Sequence, residues 1–319
     1  MKYRKLGKSG IDVSVIGQGT WGLGNDFFGD VDKSEGIAAV RKSLDIGVNM
    51  VDTAPGYGLE YDSEYAIGEA LKDGYREKAI LATKLGVLRF GGEYVHCLVP
   101  NVMRMELEAS LKRLQTDYID LYLIHWPDYN TPIEDAIAQM AKFKEEGKIR
   151  AIGVSNFSVE QIKVAQSVAQ IDAVQPPLNL LNRSSIDNGI VDYCRENDIA
   201  IITYGSLGGG ILSGKLPKPV AGSNELRSTF YNFYDEEGWN KAQNLIGALK
   251  TVADKYNAEV AEVSINWVLA HQGVTCSLMG STTPAMAIEN AKAADWELTK
   301  EDIDFIVKCF KEVREEIGR

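Results

Sequence analysis

The 319-residue sequence predicts an α/β protein of the (β/α)8 TIM-barrel type. Three observations predict it. Apolar runs suited to buried strands alternate with stretches of helical spacing, the order that builds a parallel sheet. The alternation continues through eight strand-helix steps. Chemically active side chains fall at or just beyond the ends of three apolar runs: Asp52 and Tyr57 after 47–51, Lys84 after 79–82, and His125 after 118–124. In a closed barrel of such units, active sites lie at the C-terminal ends of the strands, so an acid, a phenol, an amine and an imidazole share one rim.

Residues 3–6 and 12–15 read as a hairpin, joined by a turn whose glycines accept positive φ. Residues 16–19 follow as the first barrel strand. Ile37, Val40 and Leu44 recur on one face of a helix over 32–45, with Asp32 as its N-cap. Then come strand 47–51, helix 62–72, strand 79–83, helix 101–114, strand 118–124 and helix 132–146. The second half continues with strand 149–154, helix 159–168, strand 173–175, helix 188–196, strand 199–203, helices 239–256 and 260–270, and strand 275–279. Two connections, 86–100 and 205–237, exceed what a strand-helix step needs. Long loops in compact domains commonly carry function, and both of these follow strands on the active rim.

A single domain over 1–319 is expected, because α/β barrels of this length do not split and no Pro/Gly/Ser-rich linker interrupts the chain. Charged residues make up 25% and hydrophobic ones 45%, ordinary for a globular protein. A net charge of −11 argues against nucleic-acid or anionic-membrane surfaces. The N-terminal residues lack an apolar leader segment, and no stretch approaches a transmembrane helix. Cys97, Cys194, Cys276 and Cys309 lie far apart without CxxC spacing and read as reduced thiols, with no metal site. The expectation is a cytoplasmic protein acting on a small molecule, with no nucleic-acid or membrane partner and the oligomeric state left open.

Two glycine motifs invite a nucleotide reading. Gly17-Gln-Gly19-Thr-Trp-Gly22 matches G-x-G-x-x-G, but loop-forming residues follow where a dinucleotide-binding helix should open. Gly209-Gly-Ile-Leu-Ser-Gly214-Lys215 approaches a P-loop, yet Leu216 replaces the magnesium-binding hydroxyl. A glycine-rich turn with a lysine still suits a pyrophosphate, through backbone N–H groups and one cation.

Several motifs together resemble the aldo-keto reductase family. They are Gly19-Thr-Trp21, Asp52-Thr-Ala-x-x-Tyr57-Gly58, Ala82-Thr-Lys84, Leu111-x-Arg-Leu-x-Thr-Asp-Tyr-Ile-Asp-Leu121, Ile124-His125, Gly147-Lys-Ile-Arg-x-Ile-Gly-Val-Ser155-Asn156 and Gly205-Ser-Leu-Gly-Gly-Gly210-Ile-Leu-Ser-Gly-Lys215. They span nearly the whole chain in the family's order. The resemblance implies a barrel closed at the bottom by the N-terminal hairpin, with a nicotinamide cofactor across the top. It implies hydride transfer to and from aldehyde or ketone carbonyls. Tyr57 would be the general acid/base, Lys84 and Asp52 its tuning partners, and His125 an orienting residue.

The chemistry fits those roles. A free phenol is a reluctant acid at neutral pH, and a neighbouring ammonium lowers its pKa through charge. Asp52 would keep Lys84 charged, since an unpaired buried cation is costly. His125 would hydrogen-bond the carbonyl oxygen as negative charge develops there.

By the same resemblance Ser155, Asn156 and Gln175 hold the nicotinamide carboxamide and Tyr204 stacks on the ring. Thr20 and Trp21 border the cofactor, while Gly205, Ser206, Leu207, Gly210 and Lys215 wrap the pyrophosphate. Gly280, Ser281, Thr282, Met286, Glu289 and Asn290 surround the adenosine end. Many family members carry a basic residue where this chain has Thr282, and a glutamine where it has Met286. Arginine's planar fork is the usual partner of a ribose 2′-phosphate. NADP(H) is therefore expected to be favoured by family habit, with NAD(H) also usable because the basic group is missing. The turn after the seventh strand also lacks the family's stiffening proline.

Trp21, Phe27, Phe28, Leu88 and Trp126 lie in rim segments as candidate substrate walls. Aldehydes, α-ketocarbonyls and sugar-derived ketones remain open as substrates, because fold and motif define chemistry rather than substrate. Two other readings compete: a cofactor-binding regulatory subunit of the same fold, as in potassium-channel β subunits, and a barrel aldolase using Lys84 as a Schiff base.

Overall fold

The computed structural model describes residues 1–25, 28–29, 31–90, 93–218, 227–231 and 233–317. Among them eight parallel strands close into a barrel: β3 (Ile16–Gly19), β4 (Met50–Asp52), β5 (Ile80–Leu85), β8 (Ile119–Ile124), β9 (Ile149–Ser155), β10 (Ala173–Gln175), β11 (Ala200–Thr203) and β12 (Val274–Gly280). Neighbours follow chain order, and β12 returns to pair with β3, Leu278 opposite Gly17.

The hairpin of β1 (Tyr3–Lys5) and β2 (Asp12–Ser14) seals the N-terminal end. Its Leu6, Ile11 and Val13 are buried against Met50, Ala82, Leu121, Leu123 and Ile202, so an apolar plug fills the barrel's lower interior. Arg4 fixes it there by donating to the carbonyls of Leu269 and Val274. The larger core lies outside the strands, where Tyr122, Ile152, Val174 and Ile201 meet the helices through Phe143, Ile162, Leu249 and Trp267. Strands buried on both faces read as near-continuous apolar runs, which is why these segments stood out in the sequence.

The helices between strands are α1 (Lys33–Asp45), α2 (Asp62–Ala70), α3 (Pro100–Leu114), α4 (Ile133–Glu145), α5 (Val159–Val168), α6 (Ser184–Asp187), α7 (Ile190–Glu196), α8 (Arg227–Phe230), α9 (Glu236–Tyr256), α10 (Val260–Leu269), α11 (Pro284–Ala291) and α12 (Lys300–Ile317). Asp32 caps α1 through the amides of Ser34 and Glu35, as expected. Ser158 and Gln161 form a capping box that opens α5. No helix among the described residues is long and apolar enough to cross a membrane.

Three differences from the sequence expectation matter. The strand expected at 47–51 begins only at Met50, because Gly47, at φ 88°, and Val48 donate back to the last turn of α1 and close that helix. Asp52 therefore ends the strand rather than following it. The connection over 86–100 holds a second hairpin, β6 (Val87–Phe90) and β7 (Glu93–His96), with Leu88 opposite Val95. Helices α6, α8, α11 and α12 were not anticipated, although Thr283-Pro284 is a helix-start signal and Thr283 accepts from the amide of Met286.

Candidate active site

The C-terminal rim gathers the four expected polar residues. Strand alternation aims them: along β5, Thr83 points outward to Glu64 at 2.7 Å, so Lys84 points into the barrel. Lys84 is fully buried, and its ammonium meets Asp52 Oδ1 at 2.7 Å, the Thr53 carbonyl at 2.9 Å and the Tyr57 hydroxyl at 3.0 Å. An ammonium has three protons, and all three are engaged. The Tyr57 oxygen therefore accepts from Lys84 and leaves its own proton to be given elsewhere.

Tyr57 is held by its surroundings as well as its hydroxyl. Its carbonyl accepts from Ser63 at the start of α2 at 3.2 Å. The Ser63 hydroxyl joins Thr20 at 2.8 Å and Thr53 at 2.9 Å, tying the ends of β3 and β4 to the tyrosine loop. Thr20 also donates to the Asp52 carbonyl at 2.8 Å, so its hydroxyl faces the interior. The ring of Trp21 stacks on Tyr57, centroids 5.8 Å apart, and His125 meets Tyr57 edge-on at 6.0 Å.

The electrostatics correct one expectation. Burial pushes the Tyr57 phenol above its ordinary value; Lys84 pulls it down, as anticipated, but Asp52 adds to the rise and the net direction is upward. Burial also opposes the Lys84 charge, yet Asp52 and then Tyr57 more than offset it, and the ammonium is held above its usual range. Burial, then Lys84 and His96, push His125 well below the ordinary histidine value, so it is a neutral imidazole across the physiological range.

The expected cofactor residues fall into two sets. Near the acid, the Ser155 hydroxyl donates to the Gln175 carbonyl at 2.8 Å, and Asn156 donates to the His125 carbonyl at 3.0 Å. Tyr204 donates to the Asn156 side-chain oxygen at 2.9 Å, and the Gln175 amide donates to Asp52 Oδ2 at 2.8 Å. Farther out, Gly205, Gly208, Gly209 and Gly210 all have positive φ, winding the backbone of the turn back on itself. The Ser206 hydroxyl is buried among Thr203 and Ser277, so this residue offers the mouth its amide rather than its side chain. The amides of Ser206 and Leu207 donate to nothing among the described residues. Unused N–H groups in a glycine turn form the kind of concavity that takes a phosphate oxygen, so the residues fit a dinucleotide.

At the end expected to hold the adenosine, Ser281 accepts from Asn290 at 3.0 Å, and Thr282 donates weakly to the Met286 sulfur at 3.5 Å. Gly280 ends β12 in the open. Lys215 is paired with Glu289 and lies 3.4 Å from Glu259.

Of the expected substrate walls, Trp21 and Phe28 meet edge to face, with centroids 5.1 Å apart. Trp126 stacks on His96 of β7 at 6.0 Å, and Leu88 lies on the paired strand β6. Phe27 lies outside the described residues. Sequence reasoning missed Phe230, whose ring meets Trp21 at 5.3 Å, and assigned no role to His96. Both sit in the two long connections, and only that excess length hinted at them.

A parallel barrel with a buried lysine-tyrosine couple and a glycine-rich turn at its strand ends has the parts of a barrel oxidoreductase. The chain belongs to the Aldo/keto reductase family, whose profile matches residues 15–311. It is 35% identical over 305 residues to the aldo-keto reductase YhdN of Bacillus subtilis (strain 168), covering 95% of this chain and 91% of that one. It is 30% identical over 318 residues to the NADH-specific methylglyoxal reductase of Escherichia coli (strain K12), covering 95% and 96%. The glycerol dehydrogenase of Gluconobacter oxydans has a similar structure, with TM-score 0.87, 32% identity and coverage of 97% and 95%. An aldo-keto reductase from Bacillus halodurans superposes with TM-score 0.81 at 27% identity, covering 97% and 96%. The chain is an NAD(P)H-dependent oxidoreductase of carbonyl compounds, and nothing in these comparisons supports a purely regulatory role.

Proposed function

We propose that this reductase delivers the proton of carbonyl reduction from Tyr57 and acts on small aldehydes and ketones or, in reverse, their alcohols. The observation that carries the reading is the saturated lysine: with all three Lys84 protons committed, the Tyr57 hydroxyl is left as a donor toward the mouth. The nicotinamide, when bound, supplies or accepts the hydride. Ser155, Asn156 and the Gln175 side-chain oxygen would hold its carboxamide, and Tyr204 its ring. The amides of Ser206 and Leu207 would meet the pyrophosphate.

The chain's own residues manage the proton. A phenol held above its ordinary pKa stays protonated at neutral pH, as a donor must. Lys84 then stabilises the phenolate left behind, and Asp52 keeps that charge in place. Neutral His125 can donate one hydrogen bond to the carbonyl oxygen without competing as an acid. A Schiff-base role for Lys84 is disfavoured, because that chemistry needs a neutral amine and this one is a fully bonded cation. Trp21, Phe28 and Phe230 make a compact aromatic wall beside Tyr57, which suits small substrates.

On the cofactor, the adenosine end shifts the expectation toward NAD(H). A ribose 2′-phosphate there would meet Thr282, which is neutral, and a Lys215 already paired with carboxylates. We infer that NAD(H) serves at least as well as NADP(H). Fluorescence titration with both cofactors tests this, and NADP(H) binding about a hundredfold tighter, a gap of roughly 2.7 kcal/mol, would overturn it. The acid assignment is tested by a carbonyl panel with both cofactors, run beside Tyr57→Phe. Reduction is expected to vanish while cofactor binding persists; undiminished turnover would sink the assignment.

A further inference from the structure

Gln175 ends β10 and Asp52 ends β4, and four steps around an eight-stranded barrel separate them, so they face each other across its mouth. The Gln175 side chain spans that distance to Asp52 Oδ2 at 2.8 Å, while Lys84 holds Oδ1 at 2.7 Å. Both Gln175 and Asp52 are 2% exposed. An ionised carboxylate only accepts, so the end of the Gln175 amide that faces it must be the NH2. Its carbonyl oxygen is thereby turned the other way and makes no hydrogen bond among the described residues. Ser155 anchors the same residue by donating to its backbone carbonyl at 2.8 Å.

We propose that Gln175 is a positioning residue that couples the carboxamide-binding corner of the mouth to the acidity of Tyr57, acting through Asp52 and Lys84. An amide that accepts a hydrogen bond at its oxygen becomes a better donor at its nitrogen. A carboxamide NH2 bound at the Gln175 oxygen strengthens the grip of Gln175 on Asp52. The aspartate charge is then better satisfied, draws less on Lys84, and leaves more of the ammonium's field for the phenolate. Cofactor occupancy thus makes Tyr57 a readier proton donor. This rests on the assignment of Tyr57 as the acid.

The groups that share this field are few. Facing Tyr57 are Asp52 from β4, Lys84 from β5, His125 after β8, Tyr204 after β11 and Tyr231 after α8, while Cys276 of β12 faces Asp52. None of the others joins the carboxamide corner to Asp52 by a direct hydrogen bond among the described residues.

The test reads the phenol directly in cofactor-free protein. A single 3,5-difluorotyrosine at position 57, whose lower intrinsic pKa brings the titration into range, is followed by 19F NMR against pH. Gln175→Met is expected to raise the midpoint by about half a unit, a threefold change in acidity. Adding NADH should lower the midpoint in the parent and leave it nearly fixed in the variant. Gln175→Asn, one methylene short of Asp52, should repeat the upward shift and serves if the methionine variant fails to fold. An unchanged midpoint in a folded variant that merely binds NADH more weakly would overturn the coupling and leave Gln175 as a cofactor contact alone. Failure of the underlying reading shows separately, as full turnover in Tyr57→Phe.

Discussion

The mouth of the barrel has two sides built on opposite principles. On the acid side, over β4, β5 and β8, Lys84 and Asp52 are buried and fully bonded, and Ser63 of α2 ties Thr20 and Thr53 at the strand ends to the Tyr57 loop. On the side proposed to take the adenosine, after β11 and β12, Lys215 and Glu259 are exposed and Glu289 half-buried, and the turn offers backbone amides. Buried charges hold one geometry because any other leaves a charge unpaired. Exposed ones exchange partners at little cost. Under the proposed function, chemistry that tolerates no displacement would sit on the first side, and the grip on a cofactor that must leave each turnover on the second.

Removing Lys84 should break the first side most severely. Lys84→Met strands Asp52 without its cation, and breaking a buried pair costs about 3–5 kcal/mol. Turnover should fall by roughly 10²–10⁴, the usual reach of one acid-base group. Adding Asp52→Asn should recover much of the stability and none of the turnover. Denaturant melts and kcat on the two variants check this; a single variant as stable as the parent would mean the pair is not buried as described.

The adenosine side should yield to smaller changes and answer in selectivity. Glu289→Gln with Glu259→Gln frees Lys215, and Thr282→Arg adds a planar cation. Either should improve NADPH binding relative to NADH by about tenfold, or 1.4 kcal/mol, with melting temperature nearly unchanged. Paired fluorescence titrations decide it, and a ratio that does not move would show that the 2′-phosphate is read elsewhere.

The same contrast explains what could be read in advance. Asp52, Tyr57, Lys84 and His125 were legible because each sits where an apolar run stops, and barrel geometry then brings strand ends together without further information. Phe230 and His96 were not, since their positions depend on how two long connections fold back over the rim. The bond from Gln175 to Asp52 joins residues 123 apart along the chain, and no local pattern encodes it. The upward shift of Tyr57 was missed because sequence shows which charges are near but not how deeply they are buried. By contrast α11 was announced by Thr283-Pro284 and went unread.

The smallest effect expected concerns a carboxylate that lies next to the acid side without sharing its pairing. Glu64 of α2 is satisfied by Arg113 at 2.6 Å and Thr83 at 2.7 Å. Among the described residues Glu106 of α3 holds only the Gly86 amide, at 3.1 and 3.2 Å from its two oxygens, at the root of the β6–β7 hairpin. Burial pushes its carboxyl up to about 7, against a pull from Gly86 and Arg113. The folded chain therefore keeps this proton at pH values where the unfolded chain has lost it. Its contribution to stability is fully present below the ordinary glutamate range and fades as pH rises toward 7. Glu106→Gln, which carries no charge at any pH, should match the parent's melting temperature near pH 4 and exceed it by a few degrees near pH 8. A difference that stays constant between those two pH values would mean Glu106 is charged throughout, and that the hairpin root tolerates a buried anion as readily as the paired residues beside Tyr57 do.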